Sequence, residues 1–265
     1  ITVNPVNDPP VDGNEAHSIT EDSENTVVTG NALLNASDID GDTLTVTSGI
    51  GEVKGTYGTL ILNANGEYTY TLNNSSAIVQ ALNEGDKVYE TFAYTVSDGH
   101  GGNVSSNIIV EIIGKNDIPT IEVNSGNPEN ANDVVNESGL SPDGTEAGVA
   151  VLVAEGSFKL GDADGLSNLK SVTIDGTEIQ ISELGTGNTI DGAHGTLTIT
   201  GFDDTTGDVT YSYLLTSPVS NAADSDAGVD KFSVTVTDNS NAQSSSTITI
   251  DIVDDKPLPG ADSAS

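Results

Sequence analysis

The sequence predicts an all-β protein built as two tandem Greek-key β-sandwiches, and three observations carry that prediction. Apolar and polar residues alternate with a period of two through most of the chain, the pattern of strands with one buried face. Gly and Asn-Gly or Asp-Gly pairs interrupt that alternation every few residues, which is where hairpin turns are needed. The motifs of the first half then recur in the same order in the second, and a repeat must be recognised before a fold is assigned. A length of 265 residues suits two domains at roughly 100 to 150 residues each. Hydrophobic residues at 35% against charged residues at 18% allow each domain a core, unlike a disordered acidic tail.

In chain order, the strands of the first half are "TLTVTS" (43–48), "TLILN" (59–63), "EYTYTL" (67–72), "FAYTVSD" (92–98) and "NIIVEII" (107–113). Each sets β-branched, aromatic or aliphatic residues on one face and Thr, Ser, Asn or Glu on the other. "ILNANGEYTY" reads as a hairpin with Asn65-Gly66 at its turn, and "AIVQAL" (77–82) as one helical turn, too short for a helical layer. The second half gives "SVTI" (171–174), "TLTIT" (196–200), "VTYSYLL" (209–215), "FSVTVTD" (232–238) and "TITIDIV" (247–253). Tyr68, Tyr70, Tyr94, Tyr211 and Tyr213 alternate along these strands and are expected in the cores.

The repeat is visible by pairing segments. "GTLIL" (58–62) matches "GTLTI" (195–199), "GEYTYTL" (66–72) matches "GDVTYSYLL" (207–215), and "NIIVEIIGKNDIP" (107–119) matches "TITIDIVDDKP" (247–257). The opening "ITVNPVNDPP" has the form of the same closing strand and joint, so residues 1–10 are expected to be the end of a preceding domain and its linker. Joints fall at 4–10, 114–119 and 254–259, where Asp or Asn meets Pro, whose ring fixes the backbone. The expected domains are 11–117 and 118–255, with 256–265 a linker to the next. About seven short strands per domain read as sandwiches of immunoglobulin or cadherin type.

The charge narrows the function. Asp and Glu number 41 against 7 Lys and no Arg, for a net charge of -34. Nucleic acid and anionic membranes both require a basic surface, so neither is an expected partner, and cations are. Cys is absent, which removes disulfides, thiolate metal sites and cysteine nucleophiles, and small domains without disulfides often use metals. No stretch approaches a membrane span and no signal peptide opens the chain.

Acidic residues gather at four stations in each half. The first half has "TEDS" (Glu21, Asp22), "DIDGD" (Asp38, Asp40, Asp42), "SDG" (Asp98) and "KND" (Asn116, Asp117). The second has "NESG" (Glu137), "DADG" (Asp162, Asp164), "TDN" (Asp238) and "VDD" (Asp254, Asp255). One Asp-x-Asp-Gly is ordinarily a solvated turn, but four stations repeated in order point to a ligand set. Hard oxygens on flexible loops suit Ca²⁺, which takes 6 to 8 of them at about 2.3 to 2.6 Å. Zn²⁺ would call for His or Cys, and His17, His100 and His194 stand apart in the sequence. The loop is not an EF-hand: counted from Asp38, Thr43 stands where Gly is required and Gly49 where Glu is required. Nor is there a "GGxGxD" run.

Residues 11–115 resemble the VCBS cadherin-like repeat through "TEDS", "ASDIDGDTLTV", "GTLILNANGEYTYTL" and "FAYTVSDGHGG". Residues 134–257 resemble the repeat of type I secreted (RTX) adhesins through "VNESGLSPDG", "GSFKLGDADGL", "GTLTITGFDDTTGDVTYSYLL" and "FSVTVTDNSNA". The resemblance implies tandem extender domains of a bacterial surface adhesin: extracellular, monomeric, partnered by neighbouring domains of the same adhesin, with any host, surface or glycan ligand met through other domains. By resemblance to cadherins, the joint before the first domain would gather Asn7, Asp8, Asp38, Asp40 and Asp98, with Asp42 either a further metal ligand or only a turn residue. The middle joint would gather Glu21, Asn116, Asp117, Asp162, Asp164 and Asp238, and the last would use Glu137, Asp254 and Asp255.

Catalysis is not expected. Asp203 and Asp204 form an acid pair, but glycosidase clefts have aromatic walls and aromatics are 4% of the chain, and no "GxSxG" elbow occurs. The alternative is a calcium-dependent carbohydrate- or peptide-binding module on the long stretches 137–150 and 216–230, since long loops carry binding surfaces.

Overall fold

The computed structural model describes residues 6–124, 133–140, 151–219 and 227–254. The chain divides into two compact units, Ile1–Asp117 and Ile118–Ser265. Both are β-sandwiches.

Unit 1 comprises β1 (Glu15–Thr20), β2 (Val27–Asn31), β3 (Thr45–Ser48), β4 (Gly51–Lys54), β5 (Gly58–Leu62), β6 (Glu67–Leu72), the single turn α1 (Ala77–Gln80), β7 (Lys87–Ser97) and β8 (Asn103–Ile113). One sheet has the order β1-β8-β7-β3 and the other β2-β6-β5-β4. The alternating residues face inward: Tyr94, Val96, Ile108, Val110 and Ile112 from the first sheet meet Leu60, Leu62, Tyr68, Tyr70 and Leu72 from the second. Each such aliphatic side chain contributes about 1.5 to 3 kcal/mol by leaving water. The β5–β6 hairpin turns over Asn63 to Gly66, with Gly66 N–H donating to Asn63 O at 2.9 Å and Gly66 at φ +85°.

Unit 2 comprises β9 (Thr120–Asn124), β10 (Asp133–Asn136), β11 (Val153–Gly161), β12 (Leu169–Ile174), β13 (Thr177–Gln180), β14 (Thr189–Asp191), β15 (Gly195–Phe202), β16 (Asp208–Leu215), β17 (Ala227–Asp238) and β18 (Gln243–Val253). Its sheets run β10-β18-β17-β12-β13 and β14-β15-β16-β11-β9. The described strands number eight and ten rather than seven per unit. The additional ones, such as β4, β13 and β14, are edge strands of three or four residues, too short to establish a period.

Two features recur in both units. The strand near the start of each unit runs parallel to its last strand: β1 with β8 from Glu15↔Ile108 to Thr20↔Ile113, and β10 with β18 from Asp133↔Ile250 to Asn136↔Val253. A buried acid also ties the sheets together. The Tyr70 hydroxyl donates to Glu90 Oε2 at 2.6 Å, while Glu90 Oε1 accepts from the backbone N–H of Tyr57 at 2.9 Å and from that of Thr56. In unit 2 the Tyr213 hydroxyl donates to Asp230 Oδ2 at 2.6 Å, and that oxygen accepts from His194 N–H at 3.0 Å. Gly58 and Gly195 stand where these tyrosine hydroxyls approach the backbone, leaving no room for a Cβ.

Candidate metal centres

In each unit the acidic stations are carried to two opposite ends by the last long strand. β8 spans Asn103–Ile113, about 35 Å at the rise of an extended chain. The β7–β8 turn with Asp98 lies at its start; Asn116 and Asp117 follow its end. β1 runs parallel to β8, so Glu21 emerges beside Ile113, to whose carbonyl its N–H donates at 2.9 Å.

At the first end, Asp38, Asp40 and Asp42 each bring a carboxylate oxygen within 4.8 Å of the others. The loop is shaped by Asp38 Oδ1, which accepts from Asp40 N–H at 2.8 Å and from Asp42 N–H at 3.4 Å. Asp38 Oδ2 is buried without a hydrogen-bond partner. The incoming segment joins this end: Asn7 Nδ2 donates to Asp98 Oδ2 at 2.8 Å and Asp8 N–H donates to Asp40 Oδ2 at 2.8 Å. Asp98 is buried, and the Asn7 amide, with the N–H groups of His100 and Gly102, holds its carboxyl below the usual carboxylate range. Asp42 lies 3.2 Å from His100 Nδ1, and one of its carboxylate oxygens is among the clustered three.

The second end of unit 1 groups Glu21, Asp22 and Asp117, again with an oxygen each within 4.8 Å. Glu21 is fully buried. The Asn74 and Gln80 amides hold the Asp22 carboxyl below its ordinary value, with Asn74 Nδ2 donating at 2.6 Å. Glu84, which sequence reasoning passed over, accepts from Asn116 N–H at 3.0 Å. Its approach depends on the α1–β7 connection, which no local sequence pattern reports.

In unit 2, Asp162, Asp164 and Asp238 surround Asn168, whose amide donates to Asp162 Oδ2 at 3.4 Å and to Asp164 Oδ2 at 3.3 Å. Burial, with Asp164 and Asp238 nearby, pushes the Asp162 carboxyl up to about 6. Among the described residues this trio is not one of the groups whose oxygens converge within 4.8 Å, and Asn168 occupies part of the space between. At the other end Glu137 is buried, accepts from Val219 N–H and has its carboxyl raised by burial, with Asp254 adding to the rise. Asp255 lies outside the described residues, as do 141–150 and 220–226 of the long stretches. Asp203 is a turn residue, Oδ1 accepting from Thr205 N–H at 2.9 Å.

The donor sets are carboxylates and amides. They fit an oxygen-seeking divalent cation, and the partnerless, buried Asp38 Oδ2 is the atom such an ion would satisfy. A bound Ca²⁺ would supply positive charge and shared coordination, with Asp38, Asp40 and Asp42 at one end and Glu21, Asp22 and Asp117 at the other.

No curated protein matches the chain. Similar solved structures include protocadherin gamma B2 extracellular cadherin domains 1–5, at 16% identity and TM-score 0.46, covering 94% of this chain and 40% of that one. The human desmocollin-1 ectodomain gives 13% identity and TM-score 0.36, covering 97% and 39%. Mouse clustered PcdhgC3 EC1–3 gives 12% and 0.40, covering 91% and 64%. The chain thus spans less than two thirds of these structures. Residues 7–114 match the model of the bacterial cadherin-like domain, so the first unit is a cadherin-like repeat.

Proposed function

We infer that this chain is a calcium-binding extender segment of a bacterial surface adhesin of the type I secreted class, a spacer supporting cell adhesion or biofilm formation, with no catalytic role of its own. The observation that carries the reading is the Asp38–Asp40–Asp42 cluster with its partnerless oxygen, set where Asn7 and Asp8 are bonded to Asp98 and Asp40. Without a cation, carboxylates about 4 Å apart repel by roughly 1 to 4 kcal/mol at effective dielectrics between water and a protein surface. Calcium exchanges that repulsion for shared ligands and so stiffens the segments that bring those ligands together. At free calcium 100 times the dissociation constant, one site adds about 2.7 kcal/mol to the state that binds it.

The test is isothermal titration with Ca²⁺ and small-angle scattering of the same chain in calcium and in chelator. Saturable binding together with a narrower distance distribution in calcium supports the extender reading. No binding heat, or identical distributions, overturns it. Replacing Asp162 and Asp164 by Ala should broaden the distribution in calcium while both cores stay folded.

A further inference from the structure

We propose that unit 1 is load-bearing, its clamp being the parallel pair of its first and last strands, held to the opposite sheet by a buried tyrosine staple. In unit 1 the chain enters ahead of Glu15 and leaves after Ile113, and β1 and β8 are parallel over six residue pairs. Tension applied at the two ends of the unit therefore pulls β1 and β8 in opposite senses along their common axis. The ladder is sheared, and its hydrogen bonds must fail together. A terminal antiparallel hairpin would instead peel one bond at a time. Unit 2 has a parallel pair of four residues between β10 and β18, but there β9 precedes β10 and lies in the opposite sheet, antiparallel to β11, so tension from the entering chain meets β9 first.

A short edge strand slides unless it is tied across the sandwich, and unit 1 supplies such a tie. In unit 1, His17 Nε2 of β1 hydrogen-bonds the Tyr68 hydroxyl of β6 in the other sheet, with the rings edge-on at 5.7 Å. In unit 2 the position corresponding to His17 is Asp133 of β10; its Oδ2 and the hydroxyl of Tyr211, the counterpart of Tyr68 in β16, both lie against Gly156, and both are buried without a hydrogen-bond partner, so no such tie is made there. Each tyrosine is paired across its sheet with a glycine, Gly30↔Tyr68 and Gly156↔Tyr211. A Cβ on either glycine would overlap the tyrosine. The close glycine–tyrosine packing is common to both units, and the hydrogen-bonded tie between clamp strand and opposite sheet belongs to unit 1.

The inference rests on the extender reading only for its use; the mechanics follow from topology. Single-molecule pulling of the whole chain by its two ends, in calcium and in chelator, should show two events. Fully extended, the released segments measure about 33 to 36 nm for Glu15 to Ile113 and about 44 to 48 nm for Thr120 to Val253, and each length gain is that figure less the folded end-to-end span. Tyr68→Phe should lower the force of the shorter event and leave the longer one unchanged. As the chain has no cysteine, Asn103→Cys at the start of β8 gives a single handle. Pulling unit 1 between the N-terminal end and that handle unzips β1 from β8, and should need no more than about half the end-to-end force, since bonds then break in turn. Equal forces in the two geometries overturn the clamp, and an unchanged force in Tyr68→Phe overturns the staple. A calcium-insensitive distance distribution with the geometry dependence intact would remove the extender reading and leave the clamp standing.

Discussion

Asp38 divides its work between two oxygens: Oδ1 shapes the loop through the N–H groups of Asp40 and Asp42, and Oδ2 is buried with no partner. Asp38→Asn keeps an acceptor for the loop but removes the charge, so calcium affinity at this end should fall at least tenfold, about 1.4 kcal/mol, with the unit still folded in chelator. Titration calorimetry of the variant checks this; unchanged affinity would place the ion elsewhere. Asp133 allows a second test at this scale. It is buried, and burial raises its carboxyl, so the folded unit takes up this proton more readily than the unfolded chain. That contribution is present below the unfolded value, near pH 4, and is lost as pH rises through the folded value. Asp133→Asn should therefore raise the melting temperature of unit 2 at pH 7 and leave it nearly unchanged at pH 3. An equal gain at both pH values would show that the buried charge is not the cause. The crowded acids were legible because charge density at a loop is a local property. Glu84 and Asn168 were not, because what qualifies them is their approach to Asn116 and to Asp162 and Asp164 in space.

At the scale of elements, alternation reveals long strands well: β6, β7, β8, β16, β17 and β18 all fall on segments whose period of two is clear in the sequence. The same alternation contained a signal that went unread. Glu90 shares the inward parity of Phe92, Tyr94 and Val96, and Asp230 that of Phe232, Val234 and Val236. An acid on the apolar face of a strand is costly to bury unless it is bonded. Both are bonded, each to a tyrosine and to a backbone N–H of the turn that enters the opposite sheet. Glu90→Gln retains one acceptor oxygen for what were two sets of donors, so unit 1 should lose about 1 to 3 kcal/mol while unit 2 melts as before. Hydrogen exchange at the Thr56 and Tyr57 amides should accelerate in the variant. Unaltered protection there would mean that the carboxylate is not the tie between the sheets.

The whole molecule carries a charge of -34, and two kinds of repulsion follow from it that respond differently to salt. Charges scattered over the surface are separated by more than the Debye length, about 8 Å at physiological ionic strength, and sodium chloride screens them. The clustered oxygens lie within 4.8 Å of one another at Asp38, Asp40 and Asp42 and at Glu21, Asp22 and Asp117, well inside one Debye length. Although Asp40 and Asp22 are exposed, Glu21 is buried and Asp38 and Asp42 are half-buried, so added monovalent salt relieves these clusters less than the scattered charges. A coordinating ion relieves them directly. Raising sodium chloride in chelator from low to high concentration should therefore raise the melting temperature modestly and for both units together. Millimolar calcium should add several degrees beyond the plateau reached with salt, and more for unit 1, where two clusters converge, than for unit 2, where Asn168 stands among the acids. Differential scanning calorimetry with the two transitions assigned by the Glu90→Gln and Asp133→Asn variants separates these contributions. If high salt alone reproduces the calcium curve, the acids act only as a diffuse field and no ion is coordinated. If calcium stabilises unit 2 more than unit 1, then the convergence of three carboxylates is not what selects the ion, and the half-buried Asp162 with Asn168 beside it is the better site.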